Sequence, residues 1–144
     1  MLRAFNPGPT VSRTTPSATR LQARPGASRP APELRFRIRI SDGEVIAVGP
    51  GKIALLEALD KTGSITAAAK SLGMSYRRAW LLLDELDRSL RQPAVASAKG
   101  GAAGGGSVLT DAGRDLVTLY RTIESKAAVA CRTDIRKLMS MLAR

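Results

Sequence analysis

Hydrophobic and arginine residues alternate strictly over residues 34–40, in the stretch "LRFRIRI". One face carries Leu34, Phe36, Ile38 and Ile40, and the other carries Arg35, Arg37 and Arg39. A period of two predicts a half-buried strand with a basic outer face. A turn at Asp42-Gly43, followed by "VIAV", predicts that this strand is the first half of a hairpin. The arginine face suits a DNA contact, but we favour a solvated edge that resists aggregation.

From residue 50 the apolar residues recur at helical spacing, in three segments separated by glycines. Pro50 suits the first turn of a helix that Gly63 stops. Ser64 caps a short second helix that ends at Gly73, and Ser75 caps a third helix running to about residue 90. The inward residues of the second helix are predicted to be Ile65, Ala68, Ala69 and Leu72. Three helices joined by very short turns predict a helix-turn-helix.

The third helix has two distinct faces. Its apolar stripe is predicted to comprise Tyr76, Ala79, Trp80, Leu83, Leu86 and Leu90. The outward face comprises Arg77, Arg78, Leu81, Glu85 and Arg88. We assign Trp80 to the core and Tyr76 to the boundary, where its hydroxyl would reach a phosphate.

The outward face is what a recognition helix presents to a major groove, with N-terminal residues against base edges. Arg77 and Arg78 are the best candidates for direct readout, because the arginine fork binds guanine bidentately. Isolated exposed arginines more often serve only solubility. The place of these two, at the start of the second helix of a helix-turn-helix, favours DNA binding.

The stretch "SAKGGAAGGGSVLT", residues 97–110, is rich in glycine and lies between two short apolar segments, "AVASA" and "SVL". A nucleotide-binding loop is disfavoured because no lysine follows the last glycine and "VL" intervenes before the next helix. A plain linker is disfavoured by the apolar flanks. We predict a hairpin whose glycines let the backbone approach a sugar-phosphate ridge, with Lys99 and Ser107 contacting phosphates.

A fourth helix begins after Thr110, its predicted cap, with Asp111 placed favourably in its first turn. Its apolar stripe is predicted to be Leu116, Leu119, Tyr120, Ile123, Ala127 and Ala130. A short amphipathic helix over residues 132–144 carries Ile135, Leu138, Met139 and Leu142. We expect Cys131, on this apolar face, to be buried.

The formal net charge of +11, from 23 basic and 12 acidic residues, is that of a protein that meets a polyanion. Nucleic acid is the first candidate and an anionic membrane surface the second. No apolar run reaches the roughly 18 residues that span a bilayer, so we expect no membrane anchor. With no histidine and a single cysteine, an internal disulfide is excluded, no multi-cysteine metal site is expected, and an ordinary hydrolase is disfavoured. We therefore predict that the chain is not an enzyme.

Residues 1–33 contain six of the eight prolines, five arginines and a single acid, Glu33. Such a segment buries too little apolar surface to fold, so we predict a disordered basic tail. A basic arm that attracts phosphate and an extension without function fit equally well. An organellar transit peptide fits less well, because the prolines would break its amphipathic helix.

Two stretches resemble the N-terminal domain of the ModE family of molybdate-responsive transcriptional regulators. They are "GPGKIALLEALDKTGSITAAAKSLGMSYRRAWLLLDELD" (residues 49–87) and "GGAAGGGSVLTDAGRDLVTLY" (residues 100–120). A related pattern occurs in LysR-type regulators, but "SYRRAW" and the glycine segment favour ModE. The resemblance spans roughly residues 34–130.

The resemblance implies a mainly α protein with a small β component: a winged helix-turn-helix with an N-terminal hairpin and a long C-terminal helix, over residues 34–131. It implies a homodimer on double-stranded, roughly palindromic operator DNA, with residues 75–90 in the major groove and residues 99–107 as the wing tip. The N-terminal strands and the helix after Thr110 would build the dimer interface. The expected DNA contacts are Thr66, Ser75, Tyr76, Arg77, Arg78, Leu81, Lys99 and Ser107.

Members of that family also carry C-terminal molybdate-binding domains, for which this sequence has no segment. We therefore expect no molybdate or other cofactor, and a cytoplasmic, nucleoid-associated bacterial protein. A LysR-like regulator, or an interaction module that depends on a partner, remains the alternative.

Overall fold

The computed structural model describes residues 30–98 and 105–142, and every element lies in the compact unit Pro32–Arg144. The elements are β1 (Ile40–Asp42), β2 (Val45–Val48), α1 (Pro50–Thr62), α2 (Ile65–Ser71), α3 (Tyr76–Ser89), β3 (Val95–Ser97), β4 (Ser107–Leu109), α4 (Asp111–Ala130) and α5 (Arg132–Ser140). This order, with its two small antiparallel hairpins, confirms the predicted mainly α, winged helix-turn-helix class. The predictions on the N-terminal tail up to residue 29 and on Lys99 lie outside the described residues. The proposed domain boundary at residue 131 stays a prediction.

The N-terminal hairpin is shorter than predicted. Only Ile40 of the alternating stretch enters β1, and residues 34–39 precede it without strand pairing. Phe36 and Ile38 are half-buried as the alternation predicts, but Ile40 is 53% exposed. The register shifts between Ile40 and Ser41, leaving Ala47 as an extra residue on β2, and a bulge of this kind turns a strand out of its plane.

The turn of this hairpin lies one residue later than predicted, at Gly43 and Glu44. Gly43 has a φ of 59°, in the left-handed region that glycine enters without steric cost. A positive φ at the first central position alone is the pattern of a type II′ turn.

The helix boundaries follow local signals. Pro50 occupies the first turn of α1, and Gly63 ends it with a φ of 64°. Ser64 and Ser75 cap α2 and α3 by accepting the amide hydrogens of Ala67 and Arg78, at 3.3 Å and 3.2 Å. The core forms around α1, and its largest fully buried side chains are Ile53, Leu55, Leu56, Leu59 and Leu86.

The predicted assignment of Trp80 to the core of the α3 stripe is wrong, whereas Tyr76 was predicted to lie at the boundary. Ala79, Leu83 and Leu86 are buried, but Tyr76 is 54% exposed and Trp80 is 47% exposed. The buried face is turned toward Leu82, which packs against the core and was not in the predicted stripe. Trp80 therefore falls on the flank of the helix. Leu72, predicted to face inward at the end of α2, is also exposed, at 38%.

The predicted pairing of the two short strands around the glycine segment is confirmed, with Ser97 opposite Ser107 and Val95 opposite Leu109. The base of this hairpin is attached to the turn between α1 and α2, because the amide of Ser107 donates to the carbonyl of Gly63 at 3.0 Å. A side chain at Gly106 would come within 2.7 Å of that same carbonyl, so glycine is required for the close approach.

The C-terminal helices leave much of their apolar surface exposed. Thr110 caps α4 as predicted, by accepting the amide hydrogen of Gly113. Two residues of the predicted apolar stripe, Leu119 and Ile123, are nevertheless 61% and 49% exposed. Cys131 interrupts the helical run between α4 and α5 and is exposed, so its predicted burial is wrong. Within the described ranges, no helix combines the length and apolarity that crossing a bilayer would need.

Candidate DNA-binding surface

The first two turns of α3 bring five of the predicted contact residues together: Ser75, Tyr76, Arg77, Arg78 and Leu81. All five are exposed, Leu81 at 43%. Neither arginine forms an ion pair with any described residue. Their guanidinium groups are therefore available to an external acceptor.

The second half of α3 has a different character. Asp84, Glu85 and Asp87 follow one another within a single turn, and Arg88 is paired with Asp84 at 2.5 Å. Asp87 accepts the amide hydrogen of Ala94 at 2.7 Å and so fixes the chain that leaves the helix. Among the described residues, the arginines of α3 without an ion pair therefore lie in its N-terminal half.

Trp80 and Ser107 line one shallow cavity of about 250 Å³ between α3 and the β3–β4 hairpin. Ser107 is half-buried, and its amide is engaged by Gly63, so only its hydroxyl remains for a ligand. Thr66 is exposed on α2, next to Ile65 on the wall of this cavity. The hairpin and α2 thus flank α3 on its Trp80 side.

Lys52 is a residue that the sequence did not single out. It is 5% exposed, and its Nζ donates to the carbonyl oxygens of Ile46 at 2.6 Å and Ala47 at 3.4 Å. The same Nζ lies 3.4 Å from a carboxylate oxygen of Glu85. One buried ammonium group therefore connects the N-terminal hairpin, α1 and α3. A lysine at a helix start gives no sign of this in the sequence.

The segment 34–39 is attached to α4 rather than to a strand. Tyr120, 3% exposed, donates its hydroxyl hydrogen to the carbonyl of Ile38 at 3.0 Å. Burial raises the pKa of this hydroxyl, which therefore stays protonated as a donor. The contact spans 82 residues of sequence, so no local signal could predict it.

The residues that the structure describes contain no candidate metal-binding cluster. Within residues 30–98 and 105–142, no cluster of three or more histidine, cysteine, aspartate or glutamate residues could hold an ion. The described surface therefore offers cationic and hydroxyl groups as its functional chemistry.

Comparison with known proteins finds similarity to bacterial regulators over these elements. Residues 51–114, from α1 through the start of α4, match the sequence model of the bacterial regulatory helix-turn-helix proteins of the lysR family. The matched region contains both helices of the helix-turn-helix and the β3–β4 hairpin.

The chain is also similar to individual regulators and molybdenum-related proteins. The chain is 46% identical over 81 residues to the molybdenum-pterin-binding protein MopB of Rhodobacter capsulatus, covering 56% of this chain and 30% of that protein. It is 42% identical over 92 residues to the molybdenum transport protein ModE of Azotobacter vinelandii, covering 62% and 34%. To the DNA-binding transcriptional dual regulator ModE of Escherichia coli K12 it is 39% identical over 98 residues, covering 65% and 37%.

The chain spans about a third of the length of these relatives. The similarity therefore concerns the helix-turn-helix region and not the remainder of those proteins. Within that region the match covers α2, α3 and the β3–β4 hairpin in their observed order. Over its helix-turn-helix region, the chain is therefore similar to ModE-type regulators.

Proposed function

We propose that this protein is a DNA-binding transcriptional regulator that inserts the N-terminal half of α3 into a major groove. The observation that carries the proposal is the pair Arg77 and Arg78, exposed and without an ion pair among the described residues, at the start of this helix. N-terminal residues of a recognition helix face base edges, and arginine binds guanine through two parallel hydrogen bonds. The proposed activity is binding, not catalysis.

The neighbouring residues have positioning roles in this proposal. The Ser75 hydroxyl and the Tyr76 hydroxyl hydrogen-bond to phosphates beside the helix start, and Leu81 makes an apolar contact with a base edge. Thr66 contacts the backbone from α2. Ser107 of β4 holds a phosphate on the Trp80 side. Lys99, which lies outside the described residues, holds a further phosphate. No cofactor is needed for these contacts, so chelators should leave DNA binding unchanged.

We further propose that the protein acts as a homodimer through α4. Leu119 and Ile123 lie on one face of this helix and are exposed, whereas Arg121 on another face is bonded to Glu57 of α1. Exposed apolar residues in a row mark a contact surface. A second copy, related by a two-fold axis, would cover them and present two α3 helices to a palindromic operator.

The test is selection of bound duplexes from a random DNA pool, followed by affinity measurement on the recovered sequence. We expect R77A/R78A to reduce affinity for that sequence by at least about thirtyfold, because each good arginine–guanine pair discriminates by about 1–3 kcal/mol and each 1.4 kcal/mol is a factor of ten. Affinity for unrelated DNA should fall much less.

R132A/R136A is the matched control, because it removes the same charge from two exposed positions on α5. Circular dichroism of both variants checks that the fold is retained. Equal affinities of R77A/R78A and the control for the selected duplex would overturn the proposed role of α3. Failure of the wild type to enrich any sequence would favour the partner-dependent interaction module.

A further inference from the structure

A basic cavity of about 420 Å³ lies on the flank of α3 opposite Trp80. Its walls bring Arg37 and Arg39, from the segment before β1, together with Arg78 of the recognition helix. The floor is the backbone around the start of α1. The arginines of the alternating stretch, far from α3 in sequence, are thus its neighbours in the fold.

The position of this segment is fixed by packing. Phe36 and Ile38 are half-buried, and the carbonyl of Ile38 accepts the hydrogen bond from Tyr120. With these side chains directed inward, the alternation leaves Arg37 and Arg39 exposed. Neither forms an ion pair with a described residue. Both guanidinium groups are therefore held near α3 without an internal partner.

The charge of the cavity is strongly positive. Its ionisable lining residues are Arg37, Arg39, Lys52, Arg78 and Glu85. The single carboxylate, Glu85, is already paired with Lys52 at 3.4 Å. Beside Arg78, which we assign to a base edge, Arg37 and Arg39 therefore remain to attract an anion, and their planar forks match the geometry of a phosphate group.

We propose that this cavity binds the sugar-phosphate backbone of the DNA beside the groove that α3 enters. The inference rests on the proposed DNA binding and adds a second flank to it: the β3–β4 hairpin on the Trp80 side, and Arg37 with Arg39 on the other. A helix in a major groove has a phosphate ridge on either side, and the two flanks meet one ridge each. The solvated-edge interpretation of the arginine stripe is replaced by a contact role.

The test is the salt dependence of binding to the duplex recovered by selection. Each phosphate neutralised adds about 0.9 to the slope of log affinity against log salt, so R37A/R39A should lower the slope by about two units. R132A/R136A removes equal charge and should leave the slope near that of the wild type. The preference for selected over random sequence should stay unchanged in R37A/R39A, because backbone contacts carry no sequence information.

Neutral methylphosphonate linkages in the duplex locate the contact. Substitution at the ridge beside the α3 half-site, on the side away from the hairpin, should weaken the wild type but not R37A/R39A. In the wild-type measurement only the DNA is modified, so the fold of the protein is unaffected. It also keeps the outcome interpretable if the double variant is destabilised.

The outcomes separate the two proposals. If R77A/R78A loses specific binding while R37A/R39A matches the control in slope, the cavity proposal is overturned and the proposed function stands. If the wild type shows no salt-dependent duplex binding, both fail. Calorimetry with inorganic phosphate adds a further outcome: tight binding that R37A/R39A abolishes, with an unchanged DNA slope, would assign the cavity to a free anion and overturn the inference.

Discussion

Lys52 carries its charge into the interior, where charged groups are costly unless they are paired and hydrogen-bonded. Two backbone carbonyls of β2 and the carboxylate of Glu85 surround its ammonium group. Ala47, whose carbonyl accepts one of these hydrogen bonds, is the extra residue of the β-bulge, so Lys52 occupies a site where strand pairing is interrupted. It stabilises an irregular strand and holds it beside α3.

Replacement of Lys52 by methionine should therefore lower the free energy of unfolding by about 2 kcal/mol, the order expected for charge-assisted hydrogen bonds. Methionine keeps the length and apolar character of the stem, so the loss comes from the missing donor. Urea unfolding followed by circular dichroism measures it. K70M, at an exposed position on α2, is the control and should unfold like the wild type. Equal midpoints for K52M and K70M would contradict this role.

Short-range chemistry explains which residues were predictable from the sequence. The caps Ser64, Ser75 and Thr110 were found because a cap bonds an amide only three residues away. Trp80 was misplaced because α3 has apolar residues around most of its circumference, and the side that faces α1 is decided by tertiary packing. Lys52 could not be found, since its partners come from another strand and another helix.

The same distinction holds for the candidate surface. The exposure of Arg77 and Arg78 follows from helical periodicity, so the sequence located this part of the surface. Arg37 and Arg78 line the same cavity because residues 34–39 pass the start of α1 and reach Tyr120. Periodicity within a single element contains no such information. The basic flank therefore became apparent only in the fold.

At the scale of elements, an arginine fixes α4 against α1. Arg121 binds Glu57 through two hydrogen bonds of 2.7 Å, and a third of 2.7 Å reaches Glu124 one turn along α4. The guanidinium also lies 5.8 Å from the centre of the Tyr120 ring. The bidentate geometry sets both the distance and the rotation of α4, and hence which of its faces remains exposed.

This pair predicts a pH dependence of stability. Hydrogen bonding to Arg121 holds the pKa of Glu57 below its ordinary value of 4.5. A carboxyl group with a depressed folded-state pKa stabilises the fold above that ordinary value, and the contribution is lost as pH falls through the lowered value. E57Q should therefore unfold more easily at pH 7, by about 1 kcal/mol because both partners are partly exposed, and should lose less stability on acidification.

Thermal unfolding between pH 7 and pH 3 measures the difference. E44Q is the control, at an exposed turn position where no described ion pair forms. A difference between E57Q and the wild type that stays constant as pH falls would show that the ion pair is not the cause.

At the scale of the whole molecule, the functional groups divide between two surfaces. The N-terminal half of α3, flanked by the β3–β4 hairpin and the arginine cavity, presents the cations and hydroxyl groups that we propose to contact a duplex. The apolar face of α4 is available for a second copy. In the proposed dimer, a two-fold arrangement of α4 helices would present two α3 helices to half-sites about one turn of DNA apart, which would couple dimerisation to operator geometry.

Substitution of both Leu119 and Ile123 by serine should therefore disrupt the dimer and weaken operator binding together. Burial of one such side chain contributes about 1.5–3 kcal/mol, and each 1.4 kcal/mol is a factor of ten, so four lost side chains per dimer should raise its dissociation constant by at least about a thousandfold. Sedimentation equilibrium gives this constant, and binding to a duplex with one or two half-sites gives its consequence for DNA recognition. The single-site duplex should bind the variant as it binds the wild-type monomer, whereas the two-site duplex should lose its advantage.

V129S is the matched control, because Val129 is an equally exposed apolar residue, at 60%, on a different face of α4. A wild-type protein that sediments as a monomer, or a double variant that dimerises as V129S does, would exclude α4 as the interface.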